Sequence, residues 1–237
     1  MEFFKVQIKD SDLYYWVWLD EDYFPYLTPS EKDISDAPKP LLLRDLPPDY
    51  FLGFDSTNPD CITNTIPLTN SFESLKINPD LRKDLRRIEK INASTRIIVN
   101  EENALEKSAK WFLEQWKEPK EEFERRLEVW KGKVYTLSAY LGNELLGVHI
   151  AMKNENSIYY LGCWWNRERK NFSIPTFLCK RDIEDAIKNK FLFYDLGVGT
   201  EPYKKKWGVI EKPAKYYAEL PAIIAEKLEL KKYIEMK

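Results

Sequence analysis

The residues best equipped for chemistry lie together in one run, Asp195-Leu196-Gly197-Val198-Gly199-Thr200-Glu201-Pro202-Tyr203-Lys204-Lys205-Lys206-Trp207-Gly208. Glu201 and Tyr203 are spaced to serve as a base and an acid. Lys204 offers a cation to a phosphate or a carbonyl, whereas Lys205 and Lys206 read as solvent-facing. Asp195 is a base, a group that orients an amine, or a cap on the glycine turn that follows it. Gly197 and Gly199 permit backbone angles closed to other residues, and Pro202 stiffens the turn. The apolar run Phe191 to Tyr194 reads as a buried strand, which puts the acid at a strand end, where loops usually carry chemistry.

The other reactive side chains are isolated. His149, the single histidine, lies between Val148 and Ile150 and points away from both, so it reads as a packed or hydrogen-bonded strand residue. Cys163 is a nucleophile only if His149 activates it, and spacing gives no reason to bring them together. It reads as a small buried hydrophobe. Trp164 and Trp165 fill a core or line a pocket, with core favoured. The cysteines (Cys61, Cys163, Cys179) are odd in number and lack CxxC spacing. Neither a disulfide framework nor a metal site is predicted, and a cytoplasmic location is expected.

The elements that must position these groups follow from periodicity. Asn78-Pro79 opens a helix with Leu81, Leu85 and Ile88 on one face and basic residues elsewhere. A strand over Thr95–Val99 follows, then helices over Glu101–Trp116 and Glu121–Trp130. Three strands, 134–141, 144–153 and 157–165, joined by short polar turns, predict antiparallel hairpins. The loop Asn166–Ser173 leads to a helix from Pro175 to about Lys190. Lys215–Glu219 reads as a last strand, and Pro221 starts a C-terminal helix. The order predicts a mixed α/β domain whose helices pack on a mainly antiparallel twisted sheet.

Residues 1–75 carry 14 acidic and 5 basic side chains, against a net charge of −2 for all 237 residues, and hold 8 of the 14 prolines. Two parts are expected: an acidic, proline-rich N-terminal subdomain (1–75) packed on the core, and a mildly basic domain (76–237). Within the first, Tyr14–Leu19 reads as a strand, and the prolines around Leu41-Leu42-Leu43 impose extended, loop-like backbone. The basic remainder suits an anionic partner, or serves as the dock for the acidic segment. No window reaches the length of a membrane span, and the first residues lack a signal-peptide layout.

The basic helix Leu81–Arg87, the paired Tyr159-Tyr160, and the run Asp195, Gly199, Glu201, Tyr203, Lys204, Trp207 together resemble the GNAT acyltransferase superfamily. Within it the chain is similar to the CelD/BcsL-type acetyltransferases, relatives of the FemAB aminoacyltransferases. The likeness covers roughly residues 70–210. It implies a GNAT-like fold with helices on both sheet faces, and acyl transfer from acetyl-CoA or another acyl-CoA to an amine of a small molecule or amino sugar. The alternatives it implies are a Fem-type transferase using aminoacyl-tRNA, or a non-catalytic scaffold, in either case a monomer or homodimer. Asp195, Glu201 and Tyr203 are the implied catalytic residues, with Tyr203 protonating the leaving thiolate. The strand 157–165 would present backbone N–H groups to the thioester carbonyl. Arg167, Arg169, Lys170, Ser173, Thr176 and Lys204 would bind the donor. The anion-binding turn departs from the family: it has no glycine between Gly162 and Gly197, and Pro175 removes one N–H.

Overall fold

A computed structural model describes residues 3–7, 12, 14–18, 35–46, 57–117, 119–153, 156–219 and 223. In chain order the strands and helices begin with β1 (Phe3–Gln7), β2 (Tyr14–Trp18), β3 (Leu41–Leu46), β4 (Thr57–Pro67), α1 (Pro79–Ile91) and β5 (Thr95–Val99). They continue with α2 (Ala104–Trp116), α3 (Lys120–Trp130), β6 (Val134–Leu141), β7 (Glu144–Lys153) and β8 (Ser157–Trp165). The last are α4 (Ile174–Lys188), β9 (Phe193–Val198), α5 (Pro202–Lys205) and β10 (Ile210–Glu219).

Contacts divide the chain into two units. One is Met1–Thr63 with Val198–Thr200 and Glu211–Lys237; the other is Asn64–Gly197 with Glu201–Ile210. In the first, β1 pairs antiparallel with β2. β2 meets β3 in parallel at Trp16 and Leu41, and β3 pairs antiparallel with β10. The stretch expected as loop around Leu41-Leu42-Leu43 is therefore a strand, because pairing satisfies the backbone that its prolines only extend. The Pro221 helix lies outside the described residues.

In the second unit the strands run β4-β9-β8-β7-β6-β5. β5 to β8 are antiparallel neighbours, and β8 and β9 are parallel. This is the mixed α/β, mainly antiparallel sheet expected. α1 starts as its residues dictate: the Asn78 side chain accepts the Asp80 N–H at 2.9 Å, Pro79 occupies the first turn, and Leu81, Leu85 and Ile88 are buried. α2 begins at Ala104 rather than Glu101, because Asn103 adopts a left-handed φ of 58° just before it. β4 was hidden by its Asn, Asp and Pro, and the single turn α5 by the prolyl-lysyl run; tertiary contacts override such weak local preferences.

Helices cover both faces. Trp164 packs against Phe112 of α2 (4.8 Å between ring centroids), and against Phe123 and Trp130 of α3 (5.7 Å each). On the opposite face Phe177 of α4 and Ile88 of α1 cluster with Leu137 and Cys163 of the sheet. Core is thus the role of Trp164, while Trp165, one residue on, faces the other side.

Candidate active site

β8 and β9 pair only at Ser157↔Phe193, Ile158↔Tyr194 and Tyr159↔Asp195. Beyond Tyr159 the strands part. β8 also carries a bulge, since Tyr160 opposes Ala151 while Gly162 opposes Ile150, leaving Leu161 unmatched. One extra residue shifts the side-chain alternation. Tyr160, Cys163 and Trp165 consequently share one face, and all three line a cleft of about 420 Å³ that opens where the strands separate.

The start of α4 forms another wall. Ser173 is left-handed (φ 50°), its hydroxyl caps no amide, and Pro175 sits in the first turn. The first-turn amides have no intrahelical acceptor, and the helix dipole favours anions there. Ser173 and Thr176 line the cleft at this end. The approach of α4 depends on Gly147: a Cβ there would lie 2.8 Å from both Ile174 Cγ2 and Trp165 Cβ. Asp84 and Arg87 of α1, with Tyr203, Lys206 and Trp207 after β9, complete the walls.

β9 begins at Phe193 and runs to Val198, so Asp195 lies inside the strand, not at its end. Its cross-strand partner is Tyr159, and it does not line the cleft. Its carboxylate accepts the Thr65 hydroxyl (2.9 Å) and the Gly197 N–H (2.6 Å). Burial pushes Asp195 up to about 6, against the opposing pull of these two donors and of Lys204. Lys204 is buried and bonds Glu201 (2.9 Å) and the Gly197 carbonyl (3.3 Å). Asn64 donates to the same carbonyl at 3.0 Å. Asp195, Glu201 and Lys204 are thus brought together around the turn at Gly197, where φ is 79°.

Tyr203, 47% exposed, reaches the cleft from the far side of that turn. Burial and then the negative charge of Glu201 push its phenol up to about 12, so it stays protonated at neutral pH. Burial, the largest single influence, would raise Glu201, but its hydrogen bond to Lys204, a backbone hydrogen bond and the Lys204 charge together outweigh it and hold the carboxyl below the usual range. The segment is fastened to the start of α1: Lys206 O accepts the Asn78 N–H at 2.9 Å. At Gly208 (φ 73°) a Cβ would lie 2.3 Å from Lys76 O.

Of the donor-binding candidates, Ser173 and Thr176 are at the cleft. Arg167, Arg169 and Lys170 lie on the 3-10 turn Arg167–Phe172, exposed and outside the lining. Arg169 forks onto Glu144 at 2.8 and 2.9 Å. Lys180 bonds Glu89 (2.7 Å) and Glu184 and lies over the Phe72 ring.

His149 and Cys163 turn out to be directly opposed across β7 and β8. His149 Nε2 is occupied, however, by Asp182 (2.9 Å) and by the Tyr194 hydroxyl (3.1 Å). Burial holds the Cys163 thiol well above its ordinary value. Asp182 also accepts the Tyr135 and Tyr194 hydroxyls at 2.6 and 2.8 Å. Sequence reasoning missed it, although the signal was present. Asp182 shares the helical stripe of Leu178, Cys179 and Ala186, and an acid on an apolar stripe needs buried partners.

Residues 77–205, more than half the chain, match the family model of an acetyltransferase (GNAT) domain. The chain belongs to the GNAT family. Its domain is therefore an acyltransferase domain. FemX is similar in fold, with 12% identity and a TM-score of 0.56; the match covers 70% of this chain and 63% of FemX. A C-terminal DUF2156 domain from Agrobacterium fabrum, named as belonging to a lysylphosphatidylglycerol synthetase, gives 13% and 0.57, covering 80% of this GNAT chain and 70% of its own. A conserved protein of unknown function from Bacteroides thetaiotaomicron gives 9% and 0.54, with coverages of 90% and 81%. No curated protein matches significantly. Among the described residues no helix is long and apolar enough to cross a membrane. Nor is any group of three or more His, Cys, Asp or Glu side chains placed there to hold a metal ion.

Proposed function

We propose that the cleft transfers an acyl group, acetyl in the simplest case, from a coenzyme A thioester to the amine of a small molecule or amino sugar. The observation that carries this reading is the parting of β8 and β9 after Tyr159 and Asp195, beside the first turn of α4, in a GNAT domain. Strand amides released from pairing can face a carbonyl and stabilise the oxyanion that develops on it. Ser173, Thr176 and the first-turn amides of α4 suit the pyrophosphate, with Arg167 and Lys170 adding positive charge nearby.

The amine nitrogen attacks the thioester carbon, and the tetrahedral adduct then expels the thiolate. Tyr203 gives that sulfur its proton, and Glu201 takes the proton leaving the amine. Asp195 and Lys204 act through the Gly197 turn, holding the segment that presents Tyr203; Arg169 acts through Glu144, fixing the turn before α4.

Calorimetric titration with acetyl-CoA tests the donor. Saturable binding is expected, weakened at least tenfold in Ser173→Glu, which sets a charge against the pyrophosphate. No heat at millimolar ligand overturns the reading. A second reading, transfer from aminoacyl-tRNA, is favoured by Pro175 in a glycine-free turn and by exposed Lys83, Arg86 and Lys90 on α1. Salt-dependent binding of tRNA without binding of CoA would select it.

A further inference from the structure

We propose that the Tyr160 phenol, seated on the locked His149 ring, donates a hydrogen bond to the carbonyl oxygen of the transferred acyl group. This rests on the reading of the cleft as a thioester site and names a residue outside the run Asp195 to Gly208. Tyr160 is the first β8 residue beyond the last β8–β9 pair, and the bulge at Leu161 places it on the cleft face with Cys163. It therefore stands where strand amides become available to a carbonyl. Its hydroxyl forms no hydrogen bond among the described residues. A half-buried phenol without a protein partner needs one from a ligand or solvent.

The surroundings define which partner. Burial first, then the neighbouring Cys163, Tyr203 and Cys179 groups, hold Tyr160 well above the ordinary phenol range. It thus keeps its proton and can donate to a carbonyl oxygen. The lining around it, Cys163, Cys179 and Leu196, is largely apolar, so a donor there is strong.

The ring beneath is fixed. His149 lies 5.0 Å from the Tyr160 ring centroid at 32°. It is fully buried and held through Nε2 by Asp182 and Tyr194. Asp182 is in turn saturated by Tyr135 and Tyr194. The buried polar cluster thereby gives Tyr160 a floor with one arrangement, and preorganised donors lose little on ligand binding.

The test compares two ligands on the full chain by calorimetry: CoA, and the ketone analogue of acetyl-CoA, which keeps the carbonyl and cannot be cleaved. In Tyr160→Phe the ring and its packing remain, so CoA affinity is expected to stay unchanged. The preference for the ketone analogue over CoA is expected to fall about three- to tenfold, as for one lost hydrogen bond. An unaltered preference overturns the proposal, and so does equal weakening of both ligands, which would mean a packing role only. Wild-type protein that binds neither ligand overturns the thioester reading itself, and this proposal with it.

Discussion

Asp195 shows how folding changes what an acid can do. Its environment is dry, with a hydroxyl, one amide and a neighbouring ammonium as compensation, and burial wins. Between pH 4 and 6 the folded protein keeps a proton that the unfolded chain has lost. Stability therefore declines as pH rises through that window and is level above it. The decline is on the order of 3 kcal/mol. Asp195→Asn is expected to flatten it, as measured by urea denaturation across pH 4 to 7. An unchanged slope would remove Asp195 as its source. At the same scale Tyr203→Phe is expected to lower the rate of acyl transfer about a hundredfold with little change in donor affinity. Equal losses in both would assign it to binding instead.

At the scale of elements, α4 is the piece that makes the cleft, and two features fix it. Asp182 binds it to β6 through Tyr135, to β7 through His149 and to β9 through Tyr194. Asp182→Ala leaves three buried polar groups without their acceptor and is expected to cost about 3 kcal/mol or more in chemical denaturation. A loss under about 1 kcal/mol would mean that water replaces the carboxylate. The other feature is Gly147, whose missing side chain lets Ile174 rest on the sheet. Gly147→Ala is expected to destabilise by roughly 1–3 kcal/mol and to weaken acetyl-CoA binding with it, because the helix start must move. Destabilisation without any change in affinity would detach the anion site from that contact.

At the scale of the molecule, the two units are built from interleaved stretches. β10 pairs with β3, some 170 residues away in sequence. Ending the chain at Ile210 removes that pairing. The expected outcome is rapid proteolysis within residues 1–63, while 64–210 stays protected. Uniform resistance would show that β3 does not need β10. The charge imbalance between the first third and the rest was visible in composition, but composition carries no information about such long-range pairing.

What the residues determined alone was the local order. The Asn78-Pro79 start, the Leu81-Leu85-Ile88 stripe and the three hairpin strands were all legible, because capping, periodicity and turn chemistry act within a few residues. So was the resemblance to the GNAT superfamily, which the match over residues 77–205 bears out. The tertiary structure alone decided which groups meet. It turned Asp195 away from the cleft and toward Thr65 and Gly197, set Cys163 opposite His149, and made Asp182 the centre of a buried cluster. It also placed Tyr160 on the cleft wall. Those outcomes depend on strand register and on one bulge. A single-residue shift exchanges the two faces of a strand, and no local preference records it.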